Sequence, residues 1–152
     1  MLKLILTREL GRLAKWLRIL GLDAQYFAGD NSGSLIIEAL RSERIILTRN
    51  SRLPQARGVK IVLLKEERIK AQLAEVLKSL KFQPRREDMF TRCIICNEEL
   101  AAAAKEKVKD RVPEYVFKTQ EDFVSCPKCQ RVYWQGTHWG NVTKTLSQIC
   151  SS

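Results

Sequence analysis

A chain of 152 residues with 45% hydrophobic residues and a net charge of +10 has room for one ordinary domain and a small appendage. No stretch approaches the roughly 20 apolar residues of a membrane span. Charges at Arg8 and Glu9 interrupt the apolar start too soon for a signal peptide. We therefore expect a cytoplasmic protein that does not enter a membrane and whose thiols stay reduced.

The basic charge belongs to the first part of the chain. Residues 1–88 carry 18 Lys and Arg against 10 Asp and Glu, whereas residues 89–152 carry 9 against 7. Such a surplus favours a polyanionic partner, RNA or DNA. The alternative is a soluble basic surface with no specific partner.

The elements predicted along the first part alternate between strands and helices. Short apolar runs predict strands at 2–6, 24–27, 44–48 and 59–64, and apolar residues at helical spacing predict helices over 9–21, 34–42 and 66–80. This alternation implies right-handed βαβ units and a parallel sheet with helices on both faces. The predicted fold class is α/β.

The polar side of the first predicted helix carries three cations. Arg12, Lys15 and Arg18 follow one another at three-residue steps and so share one side of the helix. Two interpretations remain open at this point, a solvated helix face and a ridge that faces phosphates.

Polar and charged residues follow the predicted strands. These segments are Thr7-Arg8-Glu9, Gly29-Asp30-Asn31 and Thr48-Arg49-Asn50. Parallel sheets bind ligands at the carboxyl ends of their strands, and a mixture of acidic and basic side chains is typical of a metal-dependent phosphodiester site.

Each of these residues also has a structural alternative. Arg8 and Arg49 are candidate phosphate contacts, because the guanidinium fork suits phosphate, or they are plain surface charges. Asp30 is a metal ligand or caps the following helix. Thr48 and Asn50 bind substrate or cap a turn.

Four cysteines form two CxxC pairs, Cys93 with Cys96 and Cys126 with Cys129. Two such pairs predict a tetrahedral Cys₄ zinc site, since each turn presents two thiolates to one metal ion. The alternative is a pair of redox dithiols or buried free thiols. A closed Cys₄ site has no open coordination position, so we expect it to hold the fold and take no part in catalysis.

A polar hinge at 83–88 separates a predicted domain at 1–84 from a zinc-ribbon module at 89–152. The 29 residues at 97–125 separate the CxxC pairs, and the alanine-rich stretch 98–109 predicts a short helix.

The remaining aromatic and cysteine residues of this module have structural interpretations. We expect His138 to pack with Trp134 and Trp139 in the ribbon, with base stacking by the aromatic residues as the alternative. Cys150 is expected to be a tail residue without a role.

Several runs are distinctive in combination: LTRELGRLAKWLRILGLDA, RIILTRN, and CxxC segments that end in VYWQGTH. In this order they closely resemble the PIN-like ribonuclease domain known from the C-terminus of the Mut-seven exonuclease, which also occurs as a stand-alone prokaryotic protein. The resemblance covers nearly the whole chain. It implies a PIN-like α/β domain followed by a zinc ribbon, and metal-dependent cleavage of RNA.

The chain departs from the family pattern at two positions of the implied metal site. Where relatives carry Asp after the first and third strands, this chain carries Thr7 and Asn50. Asp30 and Glu38 would remain as carboxylates for Mg²⁺ or Mn²⁺, and Glu9 could replace a missing one. Hard divalent cations need anionic oxygen ligands, so we expect weakened metal binding and activity.

Two functions follow from the residues and the resemblance together. The first is a metal-dependent endoribonuclease in which Asp30 and Glu38 are catalytic. Its substrate-binding residues would be Arg8, Arg12, Thr48, Arg49 and Asn50. The alternative is a catalytically inactive RNA- or ribosome-binding protein, with the ribbon as a second contact surface.

Overall fold

Four strands form a parallel sheet in the computed structural model, which describes residues 2–134 and 137–150 except the side chains of 137–140 and 150. The strands are β1 (Lys3–Leu6), β2 (Asp23–Tyr26), β3 (Ile45–Thr48) and β4 (Ile61–Leu63), and the helices of this part are α1 (Gly11–Ile19), α2 (Ser32–Ser42) and α3 (Ile69–Ser79). The spatial order is β2-β1-β3-β4, and every pairing is parallel. The predicted α/β class is confirmed.

The side chains of β1 show why the sheet has helices on both faces. Leu4 and Leu6 join the core beneath α1 and α3, whereas Ile5 points to the other face and packs against Leu35 and Ala39 of α2. All three β1 residues are fully buried. A strand buried on both faces is apolar at every buried position, as the run Leu4-Ile5-Leu6 is.

The order of the strands places a crevice between β1 and β3. The chain passes from β1 through α1 to β2 on one side, and from β2 through α2 to β3 on the other. The connections therefore diverge at the carboxyl ends of β1 and β3. Open parallel sheets bind their ligands at such a switch point.

The second part contains a small antiparallel sheet. Its strands are β5 (Ala101–Ala103), β6 (Phe123–Ser125) and β7 (Val132–Tyr133), and its helices are α4 (Glu114–Thr119) and α5 (Thr137–Cys150). Val108, Val116 and Phe123 form its core. Trp134 packs edge-on against Phe123 with ring centroids 6.5 Å apart and so belongs to this core, whereas its expected contacts with His138 and Trp139 stay a prediction. The side chains of His138, Trp139 and Cys150 lie outside the described residues.

The helix predicted over 98–109 is wrong. Ala101–Ala103 is a strand paired with Phe123–Ser125, and only a short 3₁₀ turn follows at Lys105–Lys107. The helical propensity of alanine is a weak preference, and here the strand pairing together with the full burial of Val108 overrides it.

Helix α5 returns from the second part to the first. It packs against α3, and its Val142 and Leu146 are buried in the core that α1 and α3 share with the sheet. Trp16 of α1 lines an apolar cavity with Ile94 and Tyr133, as expected for a tryptophan between the two parts. Within the described ranges, no helix combines the length and apolar character that crossing a membrane requires.

Arg18 joins the two parts and is not the exposed cation that its helical spacing suggested. It is 7% exposed. Its Nε donates to Ala24 O at 2.8 Å, and its Nη1 donates to Ile94 O at 2.7 Å. Asn97 adds a second link, since its Nδ2 donates to Asp23 Oδ1 at 2.7 Å while its Oδ1 accepts from Ala24 N at 3.0 Å.

A substitution at Gly21 tests the close contact between the end of α1 and Asp88 of the hinge. Its φ is +90°, and an added Cβ would lie 2.3 Å from Asp88 O. We expect Gly21→Ala to lower the free energy of unfolding by about 2 kcal/mol or more, measured by urea denaturation. Gly11→Ala is the control, because its helical φ of −59° and ordinary contact with Tyr26 predict a neutral or slightly stabilising change. Equal effects of the two changes would contradict the role of Gly21.

Candidate functional site

A small cleft of about 190 Å³ opens at the carboxyl ends of β1 and β3. Residues from three strand ends and from the start of α2 line it: Thr7, Arg8, Glu9, Phe27, Gly29, Asp30, Asn31, Ser32, Leu35, Asn50 and Leu53. The three segments predicted to follow the strands therefore meet in one cleft, although Thr48 and Arg49 are not among its lining residues.

Glu9 is the centre of the hydrogen bonds in this cleft. Its Oε2 accepts from the Thr7 hydroxyl at 2.8 Å and from the Arg49 backbone N–H at 3.0 Å. The residue belongs to the 3₁₀ turn Arg8–Leu10 that precedes α1. The carboxylate thus bridges the carboxyl ends of β1 and β3.

Two hydroxyls extend this arrangement behind the cleft. The oxygens of Thr7 and Thr48 lie 2.9 Å apart, and the Asn50 N–H donates to Thr48 Oγ1 at 3.0 Å. Each hydroxyl has a single proton to donate. All groups are satisfied if donation runs from Asn50 N–H to Thr48, from Thr48 to Thr7, and from Thr7 to Glu9.

This environment favours the ionised form of Glu9. Partial burial raises the pKa of the carboxyl, but hydrogen bonds outweigh it, first from the backbone N–H groups of Arg49 and of Glu9 itself and then from the Thr7 hydroxyl. The net result is a pKa below the ordinary value of 4.5. Glu9 therefore carries its negative charge at neutral pH.

Asp30 and Asn50 differ in how their side chains are used. Asn50 Oδ1 accepts from Arg52 N at 3.0 Å, so the amide holds its own turn. Asn31, and not Asp30, caps α2 by accepting from Ser34 N at 3.0 Å. Asp30 is exposed and lines the cleft, and the capping role considered for it does not apply.

Three of the predicted site residues lie behind or outside the cleft lining. Thr48 is fully buried. Arg49 points its guanidinium toward Glu67, with 3.8 Å between Nη2 and Oε1. Glu38 forms an ion pair with Arg41 on α2, and that pair lowers the pKa of Glu38. Sequence spacing alone did not reveal these directions.

Arg8 and Arg12, the two remaining candidates for phosphate binding, line different concavities. Arg8 is exposed and lines the cleft, as a phosphate contact would have to. Arg12 is exposed one turn further along and lines a different, larger groove.

The cleft offers few anionic ligands for a divalent ion. The carboxylates in its lining are those of Glu9 and Asp30. Across the described ranges, the four cysteines are the one group of three or more potential ligands that could share a metal ion. Mg²⁺ is commonly held by one or two carboxylates together with substrate phosphates, so this donor set fits a cation that a bound phosphate group helps to hold.

The four cysteines converge on a point that suits a tetrahedral metal. Their sulfurs all lie within 4.8 Å of one another, and those of Cys93 and Cys129 are 3.7 Å apart. Tetrahedral zinc with Zn–S distances of about 2.3 Å separates its sulfurs by about 3.8 Å. The four thiols can therefore hold a metal ion such as zinc.

Both CxxC turns have the same backbone arrangement. Cys96 N donates to Cys93 Sγ and Cys129 N donates to Cys126 Sγ, each at 3.4 Å. The residue after each pair, Asn97 or Gln130, has a φ of 66°.

The surroundings of the cluster shift two of its thiols in opposite directions. Burial, and next the neighbouring thiols of Cys129 and Cys126, raise the pKa of Cys96 to about 12, whereas a group outside the cluster favours the thiolate of Cys129. The hydrogen bond from the Arg131 backbone is the main cause of a Cys129 pKa lowered to about 6. Thiolates are the form that binds metal, so the turns and their surroundings fit this role.

The sequence pattern does not reveal two features of the molecule. Nothing in it fixes the direction of the Glu9 side chain, which was expected only as a possible replacement for a missing carboxylate. Arg18 shares its spacing with two exposed cations, but a helical spacing of three places residues only roughly on one side. The leucines on both sides of Arg18, Leu17 and Leu20, were the available signal of burial.

Comparison with known proteins gives one result. A family model described as the Mut7-C RNAse domain matches residues 2–146, nearly the whole chain. No curated protein and no solved structure matches at a significant level.

Replacing single cysteines tests which of the five thiols bind the metal ion. We expect Cys126→Ser to lose zinc affinity by more than the roughly 10- to 100-fold typical of losing an outer-shell partner, and to melt at a lower temperature. Cys150→Ser is the control. Metal content by mass spectrometry and thermal melts under reducing conditions measure both, and full zinc content in Cys126→Ser would contradict the cluster.

The lowered pKa of Glu9 makes stability depend on pH. The charge contributes stability above the unfolded pKa, and this contribution is lost as the pH falls through the lower folded pKa. We expect Glu9→Gln to be less stable than the native chain at about pH 7, with the difference shrinking toward about pH 3. Urea denaturation at stepwise pH measures it. Glu106→Gln, an exposed carboxylate of the second part, is the control, and a Glu9→Gln difference independent of pH would contradict the argument.

Proposed function

The chain belongs to the Mut7-C RNAse domain family, and from this membership we propose that it hydrolyses phosphodiester bonds of RNA at the cleft between β1 and β3. The observation that carries the proposal is the ionised carboxylate of Glu9, held by hydrogen bonds at the switch point of the sheet. Ligands of open parallel sheets bind at that position.

Each residue of the cleft has a separate role in this proposal. Glu9 and Asp30 hold Mg²⁺ or Mn²⁺, which supplies, when bound, neutralisation of phosphate charge and a water of lowered pKa. Arg8 contacts a non-bridging phosphate oxygen from the rim. Thr7 and Thr48 keep Glu9 charged and directed at the cleft.

We further propose that the activity is slow. A carboxylate about 4 Å from a cation contributes roughly 4 kcal/mol of raw attraction at an effective dielectric constant near 20, before desolvation is counted. The neutral side chains of Thr7 and Asn50 supply none of this. If only a small part of the attraction from two missing carboxylates is lost after desolvation is counted, the affinity for the cation still falls by orders of magnitude.

The thiol cluster has a structural role in the same proposal. Zn²⁺ bound by Cys93, Cys96, Cys126 and Cys129 fills all four positions, which leaves no site for a reacting water. We place the protein in the cytoplasm, because the cluster needs reduced thiols.

The second candidate function is an inactive RNA- or ribosome-binding protein. The observation in its favour is that Asn50 and Thr7 are already engaged, Asn50 with Arg52 N and Thr7 with Glu9. The excess of positive charge would then serve binding alone.

Carboxylate variants test the proposed activity. We expect slow Mn²⁺-dependent cleavage of labelled RNA by the native protein, and a loss of about 100-fold or more in Glu9→Gln and in Asp30→Asn, since each removes one of two anionic ligands. Thr7→Asp/Asn50→Asp should cleave faster. Single-turnover rates on gels measure this, with Glu106→Gln as the matched control.

The same series separates the alternatives. Absence of cleavage in the native protein and in Thr7→Asp/Asn50→Asp, together with salt-sensitive RNA binding, would refute the enzyme and support the binding protein. Glu38→Gln tests the prediction from the sequence that Glu38 is catalytic. A loss in Glu38→Gln equal to that in Glu9→Gln would return Glu38 to the catalytic set, whereas unchanged activity in Glu9→Gln would overturn the assignment to Glu9.

A further inference from the structure

A second concavity, larger than the cleft, lies between α1, the outer edge of β2 and the first CxxC turn. Its volume is about 900 Å³. The residues that matter here are Arg12, Lys15, Gln25, Tyr26, Asn97 and Lys128. Both parts of the chain contribute to it, so the groove exists only because the ribbon is attached to the edge of the sheet.

Three cations of this groove are free to bind a ligand. Arg12, Lys15 and Lys128 are exposed, and none of them forms an ion pair with a described residue. Arg18 and Arg44 also line the groove but are engaged, Arg18 with backbone carbonyls and Arg44 with Asp23. The free cations are therefore the ones available to an anion.

The negative charge in the groove is small by comparison. Among the described lining residues, Glu98 is the one carboxylate, and it is exposed. Cys96 also lines the groove, and four thiolates around one Zn²⁺ would add two negative charges, still fewer in total than the five cations of the lining. The groove therefore carries a net positive field that favours a chain of phosphates.

Tyr26 connects the groove with the cleft. Its hydroxyl donates to Arg8 O at 2.7 Å, and Arg8 lines the cleft. The ring itself lines the groove, and Tyr26 is 38% exposed. An aromatic ring fixed at one end and open to solvent is suited to stacking with a nucleobase.

We propose that this groove binds a single strand of RNA, with phosphates on Arg12, Lys15 and Lys128 and a base on Tyr26, and leads it to the cleft. The inference rests on the proposed function, since it assigns how the substrate of that site is held. A basic groove with an exposed aromatic ring is the arrangement that proteins use for single strands, whose base faces are accessible. In a duplex those faces are stacked within the helix and cannot reach Tyr26.

The test measures binding without cleavage. Fluorescence anisotropy follows a labelled oligouridine of about 12 nucleotides, and an RNA duplex of similar length, in buffer without added divalent cations. The groove variant is Arg12→Ala/Lys15→Ala/Lys128→Ala. The control variant, Lys60→Ala/Lys78→Ala/Lys109→Ala, removes the same charge from exposed positions outside the groove lining. Zinc content and circular dichroism establish that all variants are folded.

The groove variant should bind the single strand about tenfold or more weakly near 100 mM salt, and its salt slope should fall by about 2, because each single-strand phosphate contact contributes about 0.7. Tyr26→Ala should weaken binding by about tenfold, and Tyr26→Phe should retain it, since the ring is kept. The duplex should bind the native protein more weakly than the single strand.

Three results would overturn the proposal. They are equal losses in the groove and control variants, tight binding by Tyr26→Ala, and a duplex bound as well as the single strand. Failure of the nuclease proposal is distinguishable from these results. A protein that never cleaves but loses affinity in the groove variant refutes the enzyme and supports the groove, whereas cleavage with an unaffected groove variant refutes the groove alone.

Discussion

The attachment of the first CxxC turn to the edge of β2 joins the two parts of the chain and forms the groove beside α1. Arg18 donates to Ala24 O on the strand and to Ile94 O in the turn, while Asn97 accepts from Ala24 N. These bonds satisfy the exposed peptide groups of an edge strand, which otherwise invite pairing with another chain. They also satisfy a buried guanidinium, whose desolvation is costly without acceptors. One set of contacts thus protects the sheet edge and fixes one wall of the basic groove.

The metal cluster and this attachment are coupled through the chain. Asn97 directly follows Cys96 and has a φ of 66°, a conformation that belongs to the CxxC turn. That conformation directs the amide toward Asp23 and Ala24. A metal ion that holds the turn therefore also holds the contact between ribbon and sheet. In this way a metal ion bound by the four cysteines would support the shape of the proposed binding groove beside α1 and β2.

Sequence patterns predicted what depends on local periodicity and failed where long-range contacts decide. The strands and the two CxxC pairs are visible because burial on both faces and metal ligation impose fixed residue types. The strand at Ala101–Ala103 depends on a partner strand 20 to 24 residues further along the chain, so the helical propensity of alanine gave a wrong prediction. Arg18 and Glu9 look like surface charges in the sequence, and only tertiary contacts reveal that one is a buried link and the other a bridge between strand ends.

The cleft has a stable arrangement that does not depend on a bound cation. In a site with carboxylates at positions 7 and 50, like charges would face Glu9, and a metal ion would be needed to hold them together. Here the Thr7 hydroxyl donates to Glu9 where an aspartate at position 7 would repel it, beside the backbone N–H of Arg49. In the proposed site the neutral residues therefore have opposite effects, since Thr7 stabilises the carboxylate of Glu9 whereas Thr7 and Asn50 offer a divalent ion no negative charge. Restoring aspartate at position 7 removes a donor from Glu9 as it adds a ligand, so the gain in metal affinity must exceed the loss of that hydrogen bond before catalysis improves.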